Sequence, residues 1–392
     1  MISVKEAKQI IAENIRLSII KKVPLKDAFG FVLAEDVVGK FDIPNFAQSS
    51  MDGYAIKFED RQLSLNIIGE MAAGTSINLT INKGEATRIF TGAPLPDGAD
   101  TVVMQEKTQR NGDTLIVIEE KLFQGANVRS KGSECGQGEI AIAKGTYLSA
   151  AAVGFLSGIG CVEVSIFAAP SVALILTGNE FQQPGQPLKF GQVYEANSVS
   201  LESALIKTGI KNIEILFADD HANELQNVLT ATLEKHDVVL LNGGVSVGDY
   251  DYVVPVAEKC GIVQGFHMVR QKPGKPLYFG TKGEKLVFGL PGNPSSSLTC
   301  FYEYVLPALE TILKKERSIK QTTAILTHDY PKLSGLAQFI KAFHSEGSVT
   351  PLHAQESFRL HSFAQANCFI VLGEDCAGSQ ANDIVNIHLL PI

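Results

Sequence analysis

Three segments in the second half of this chain share one construction. Each is a short apolar run that stops at a glycine-rich turn: Val172 to Glu180 (VALILTGNE), Asp237 to Asp251 (DVVLLNGGVSVGDYD) and Lys285 to Ser297 (KLVFGLPGNPSSS). Runs this short, β-branched and nearly uninterrupted read as strands covered on both faces, as in a parallel sheet. The stretches after them, Ser198 to Thr208, Tyr252 to Gly261 and Ser297 to Leu313, read as helices. Ligands of open α/β sheets bind at the carboxyl ends of the strands. Glycine lets the backbone come close to a ligand, and the exposed N–H groups of a turn or helix start attract anions. Three such turns on one sheet edge predict a site for a large, multiply anionic small molecule. Its candidate backbone contacts are Gly178 and Asn179, then Gly243, Gly244, Ser246 and Gly248, then Gly292 and Asn293.

A chain of 392 residues exceeds one ordinary core, so two to four domains are expected. Residues 1–45 with 130–168 read as a mixed helix and strand domain, and residues 46–129 as a β-rich domain with a hairpin at Asn111-Gly112. Residues 169–317 form the α/β block, and residues 318–392 alternate in strand fashion as a small C-terminal β-barrel-like domain. The expected class is therefore α/β plus all-β domains in one multidomain chain. A net charge of −8 argues against a broadly basic nucleic-acid surface, so an anion must be held by locally placed cations and backbone dipoles. The six cysteines form no CxxC pair, which suits reduced thiols in the cytoplasm. The N-terminus reads as a capped amphipathic helix, with Ser3 and Glu6 as a capping box, and not as a signal peptide. The most membrane-like stretch, Ala150 to Leu176, is interrupted by glycines, Glu163 and Pro170 and reads as helix, turn, strand, strand.

Two motifs mark the first half. Pro44 to Ile56 (PNFAQSSMDGYAI) sets the turn pair Asp52-Gly53 before a strand, with Met51 and Tyr54 as its apolar anchors. Thr91 to Glu106 (TGAPLPDGADTVVMQE) is a rigid loop before a strand. The plain alternative for both is a structural surface turn. The strongest chemical motif is Val269 to Gly280 (VRQKPGKPLYFG). Pro273, Gly274 and Pro276 fix the backbone, so the ammonium groups of Lys272 and Lys275 lose less freedom on converging at an anion. Acidic residues also gather at strand ends: Glu180, Asp219 and Asp220, Asp249 and Asp251. Carboxylates around an anion site suit Mg²⁺ shared with substrate phosphates, oriented water or ligand donor groups. A turn or N-cap role is the alternative for any one of them, and is favoured for Asp249. No Ser/His/Asp arrangement and no zinc-ligand spacing is evident.

Taken in order, PNFAQSSMDGYAI, TGAPLPDGADTVVMQE, TGNE, ANS, GGVSVGDYDYV, KPGKP and GLPGNPSSS resemble the MoeA family of molybdopterin molybdenumtransferases, with which the C-terminal part of gephyrin belongs. The resemblance covers nearly the whole chain. It implies an L-shaped homodimer of four-domain subunits whose three-layer α/β domain binds molybdopterin, and sites shared between subunits. It also implies a reaction, insertion of molybdate into adenylylated molybdopterin with release of AMP. Carried over residue by residue, the family's acidic site positions match Asp52, Glu180, Asp219 or Asp220, and Asp251, and its TGAP threonine matches Thr91. Its molybdate-binding residues match Lys272, Lys275, Pro276, Ser296 and Ser357. Where the family has arginine in a last-domain G-R-x-x-F-x-R segment, this chain reads GLAQFIK, so Leu336 and Lys341 stand there. Lys341 keeps a charge but lacks the planar fork. The family's G-E-D turn reads Gly132-Ser133-Glu134.

This combination sets an expected mechanism. Glycine turns hold the phosphates, while Lys272, Lys275 and Lys341 neutralise molybdate and Ser296 and Ser357 donate hydrogen bonds to it. Mg²⁺ near Asp251, with Glu180 as a second candidate ligand, stabilises the adenylate leaving group. One rival reading is a nucleotide pyrophosphatase of the CinA type on the same α/β module. The MDGYA and TGAP blocks argue against it. The other is a non-catalytic pterin-binding or scaffold protein, against which the retained KPGKP lysines and Asp251 argue.

Overall fold

The computed structural model describes residues 1–219, 221–246 and 252–391. The chain forms two compact units, one of Met1–Lys22, Gly30–Val32 and Ser165–Ile392, the other of Val23–Phe29 and Leu33–Val164. Helix α1 (Val4–Asn14) opens with the expected capping box: the Ser3 hydroxyl accepts from the Glu6 N–H and the Glu6 carboxylate accepts from the Ser3 N–H. The sequence reading grouped this helix with residues 130–168. Its buried Ala7 and Ile11 instead join the α/β core, beside Val172, Leu174 and Phe279.

The second unit is built on a six-stranded sheet. Its strands are β1 (Gly53–Ile56), β2 (Leu65–Met71), β3 (Glu85–Ile89), β4 (Thr101–Met104), β5 (Thr108–Asn111) and β6 (Thr114–Val117), in spatial order β4-β1-β3-β2-β6-β5. Strands β5 and β6 are the hairpin expected at Asn111-Gly112. Helix α2 (Ala150–Gly158) follows, capped by Ser149, so the apolar stretch is broken as its glycines predict. No helix among the described residues is long and apolar enough to cross a membrane.

The first unit carries the α/β sheet. Its elements run β7 (Val172–Thr177), the two-stranded ribbon β8 (Phe181–Gln182) and β9 (Val193–Tyr194), α3 (Asn197–Thr208), β10 (Ile213–Ala218), α4 (Ala222–Lys235), β11 (Val238–Asn242), α5 (Val253–Lys259) and β12 (Val263–His267). Then come β13 (Gln271–Lys272), β14 (Tyr278–Lys282), β15 (Lys285–Leu290), α6 (Pro294–Cys300), a π-helical turn (Phe301–Val305) and α7 (Leu306–Ile312). The sheet order is β10-β7-β11-β15-β14-β12, with the first four strands parallel and the last two antiparallel. The three apolar runs are thus adjacent central strands, buried along nearly their whole length. Val172, Leu174 and Leu176 of β7 face α3 and α7, while Ile175 joins Val239 and Leu241 of β11 against α4 and α5. Both faces are covered, which is why the runs do not alternate, and the domain has the three layers expected.

The last segment adds β16 (Lys320–Leu326), β17 (Ala337–Ser345), β18 (Ser348–Pro351), β19 (Cys368–Leu372) and β20 (Ile384–Leu389). They pair in the order β17-β18-β16-β20-β19, and β19 pairs back onto β17, closing a five-stranded barrel. Strand β13 lies parallel to the edge of β17, with Gln271 opposite Ala337 and Lys272 opposite Gln338. This pairing ties the KPGKP segment to the barrel.

Candidate functional site

The carboxyl ends of β7, β11 and β15 open onto a cleft of about 660 Å³. It is lined by Gly178, Glu180, Gly243, Gly244, Ser246, Gly292 and Asn293 from the three turns, and by Pro276 from the KPGKP segment. The size lies within the range of small-molecule sites, about 300–1,000 Å³. Gly243 shows why glycine is needed. Its φ is +95°, and a Cβ there would lie 2.7 Å from the Thr177 hydroxyl and 2.8 Å from the Thr177 carbonyl oxygen.

Two asparagines tie the end of β11 and the start of α3 to the turn after β15. Asn242, at the end of β11, donates to the Pro291 carbonyl (3.0 Å) and to the Ser297 hydroxyl (2.8 Å). Asn197, at the start of α3, donates to Asn242 Oδ1 (2.7 Å) and to the Gly292 carbonyl (2.8 Å). Both side chains are buried, and Asn197 Oδ1 has no partner among the described residues. Neither was picked out as a site residue from the sequence. The signal was there: an asparagine closing an otherwise apolar buried run, and the ANS motif.

A second cavity of about 270 Å³ lies at the junction with the barrel, lined by Lys272, Pro273, Gln338, Gln355 and Glu356 among others. No described residue lines both cavities, but the same two chain segments contribute to each. The 272–276 segment gives Lys272 to the smaller and Pro276 to the larger, and the 355–358 segment gives Gln355 and Glu356 to the smaller and Phe358 to the larger. The second segment is held by the Ser295 N–H, which donates to the Ser357 carbonyl (3.0 Å). The first is held by buried Gln271, whose Nε2 donates to the Gly274 carbonyl (2.9 Å) and whose Oε1 accepts from the Tyr304 hydroxyl. Gly274 has φ +82°, and a Cβ there would meet Cys300 Sγ at 2.4 Å, so the turn sits hard against α6. The sequence reading missed Gln271 and Tyr304, since nothing local marks a buried polar side chain whose partners are distant in the chain.

The remaining expected residues divide. Lys272 and Lys275 are exposed, Ser357 is half-buried, and Ser296 is buried on α6. Asn179 is exposed beside the cleft-lining Gly178 and Glu180 but does not itself line the cleft. Asp219 does not reach the lining either. Strand β10 is at the sheet edge, and the Asp219 backbone packs onto the start of α4, its N–H directed to the Glu224 carboxylate and its carbonyl accepting from the His221 N–H. Asp220, Gly248, Asp249 and Asp251 lie outside the described residues.

Lys341 corrects an expectation. It is only 2% exposed, and its ammonium donates to the carbonyls of Ala354 and Arg359 at 3.0 Å each. Burial lowers its pKa. The side chain holds the loop that carries Ser357 and does not line either cavity. Leu336 is half-buried at the start of β17.

In the β-rich unit the structure brings Asp52 and Thr91 together. Asp52 Oδ1 accepts from both the Thr91 N–H and the Thr91 hydroxyl, each at 2.8 Å. The hydrogen bonds from the Thr91 backbone and side chain hold the Asp52 carboxyl below its ordinary range. Tyr54 anchors this turn from the core, but Met51, expected to do the same, is 44% exposed. The turn is instead tied by the Ser49 hydroxyl, which donates to the Met51 carbonyl (2.5 Å).

Family models match residues 2–160 as the MoeA N-terminal region (domains I and II), 173–311 as a probable molybdopterin binding domain, and 323–390 as the MoeA C-terminal region (domain IV). The chain is 32% identical over 379 residues to the molybdopterin molybdenumtransferase of Haemophilus influenzae, covering 93% of this chain and 94% of that one. It is 33% identical over 401 residues to a protein of the same name from Staphylococcus aureus, covering 99% and 95%. The chain belongs to the MoeA family. Two crystal structures of MoeA proteins from Pyrococcus horikoshii superpose on it with TM-scores of 0.87 and 0.80, each at 30% identity and over 99% or more of both chains. MoeA regions matched on either side of the α/β domain also separate this chain from a lone module of the CinA type.

The Mg²⁺ expected from the sequence can be tested against the carboxylates of the cleft. Glu180 offers one carboxylate on the cleft, with no hydrogen bond to its oxygens among the described residues. Glu195 is occupied, accepting from the N–H and hydroxyl of Ser198. No group of three His, Cys, Asp or Glu side chains is arranged for a metal among the described residues. One hard oxygen donor on the cleft fits Mg²⁺, which takes one or two carboxylates and completes its shell with ligand oxygens and water.

Proposed function

We propose that this MoeA protein inserts molybdate into adenylylated molybdopterin and releases AMP. The observation that carries this is the pair of cavities lined from the same two chain segments, one rimmed by glycine turns and the other holding Lys272. A phosphorylated substrate and a small oxyanion must meet, and their repulsion grows as water is expelled. The turns at Gly178, Gly243 and Gly292 bring backbone close to the phosphates. Lys272 and Lys275 neutralise molybdate, with Ser357 donating a hydrogen bond. Glu180, together with Asp251 by the family resemblance, would hold Mg²⁺, which would supply charge neutralisation at the leaving phosphate. Asp251 also orients the attacking oxygen. No covalent protein nucleophile is required.

The protein works in the cytoplasm as a homodimer, in which Asp52 and Thr91 of one subunit complete the α/β site of the other. This placement rests on the family resemblance and on the exposed, hydrogen-bonded Asp52–Thr91 pair.

The test is turnover. The purified protein incubated with adenylylated molybdopterin, Mg²⁺ and molybdate is expected to release AMP in step with molybdate incorporation. Binding of the pterin with no AMP release would instead favour the non-catalytic reading.

A further inference from the structure

We infer that Tyr194 and Phe358 form an aromatic platform on which a planar heteroaromatic ring of the substrate stacks, and so select ring-bearing ligands for the cleft. The inference rests on the proposed function and deepens it. Both residues line the 660 Å³ cleft, yet they come from different parts of the fold, Tyr194 from the ribbon strand β9 and Phe358 from the loop of the barrel domain. They are 46% and 61% exposed. Single exposed aromatics are ordinary, but two on the walls of one cleft are not. Phe181, which also lines the cleft, is different: it packs against the core of the sheet and its ring supports the Gly178 turn.

Each platform residue is held in place. The Tyr194 hydroxyl donates to the Gln186 carbonyl (2.8 Å), which fixes the direction of its ring. Phe358 follows Ser357, whose carbonyl is bound by the Ser295 N–H, and the Arg359 guanidinium lies 5.5 Å from the Phe358 ring centre. A ring stacked on Phe358 would therefore also sit near a planar cation. The glycine turns and asparagine amides of the cleft suit phosphate, while Glu180 and Glu195 on the same lining call for a cation between them and any phosphate. A ligand with phosphates at one end and a flat ring at the other satisfies both parts. Stacking of a base on an aromatic side chain is tolerant of ring identity, so purine and pterin share the required chemistry.

The test is calorimetric titration of the full chain with AMP and, separately, with molybdopterin. Phe358→Ala and Tyr194→Ala are compared with Phe358→Tyr and Tyr194→Phe. Since the side chains are exposed, all four variants should melt with the wild type. The expected result is that the alanine variants bind at least one of the two ligands about tenfold more weakly, while the aromatic exchanges stay within about twofold of wild type. The ligand that responds identifies the ring as purine or pterin. Wild-type affinity for both ligands in both alanine variants would overturn the platform, as would an equal loss in the aromatic exchanges. A wild-type protein that binds neither ligand would instead remove the reading of the cleft itself.

Discussion

Lys341 shows how much a single side chain's surroundings decide its role. From the sequence it stood where the family has arginine, and its charge suggested an oxyanion contact. On the outer face of β17, opposite the barrel core, its ammonium instead satisfies two carbonyls of the loop that presents Ser357. Lys341→Met should therefore lower stability by about 2 kcal/mol, because it leaves two buried acceptors without a donor. Lys341→Arg should also lower the melting temperature, since a longer, forked side chain must enter a site only 2% exposed. Neither exchange should improve molybdate use, and an Arg variant that melts with wild type and works better at limiting molybdate would restore the original reading. Gly274 gives the complementary case. Gly274→Ala meets both a positive φ and the Cys300 sulfur, so it should cost about 1–3 kcal/mol, read in denaturant unfolding.

At the scale of elements, the parallel strands were legible because burial on both faces writes an unbroken apolar run, and their glycine turns followed from the same pattern. The attachment of Gln271–Lys272 to β17 was not legible, for a two-residue strand has no periodicity to read. The same holds for the Asn197–Asn242 clamp and for the Lys341 contacts, which join residues far apart in sequence. Another long-range device is Glu303, 1% exposed in the π-helical turn. It accepts from Lys8 of α1 (2.5 Å) and pairs with His388 of β20 (2.8 Å), joining three elements. Burial alone would raise its pKa, but the His388 hydrogen bond and the Lys8 and His388 charges together lower it below the ordinary 4.5. A carboxyl with a depressed folded pKa adds stability that is fully present above the unfolded value and is lost as pH falls through the folded one. Glu303→Gln should thus cost about 1.5–3 kcal/mol at neutral pH. Wild type and variant melting temperatures should converge as the pH drops below 4.5. A gap that persists unchanged into acid would show that the carboxylate charge contributes nothing.

For the whole molecule, the division of the proposed site residues between the two units carries the main consequence. Asp52 and Thr91 belong to the β-rich unit, whereas the glycine turns and Lys272 belong to the other. If sites are shared across a homodimer, a subunit with Asp52→Ala and one with Asp251→Ala, each inactive alone, should regain partial activity when co-assembled. Background activity in verified heterodimers would place each site within one chain. The central claim, that the glycine-turn cleft and the Lys272 cavity together perform molybdate insertion, is tested most directly by the molybdate dependence of AMP release in wild type and Lys272→Ala. Loss of a charge-assisted contact to a desolvated anion costs about 1.5–3 kcal/mol, so half-maximal molybdate should rise about tenfold or more while pterin affinity stays close to wild type. An unchanged half-maximal molybdate concentration in a variant that still releases AMP would contradict the account and move the oxyanion site elsewhere.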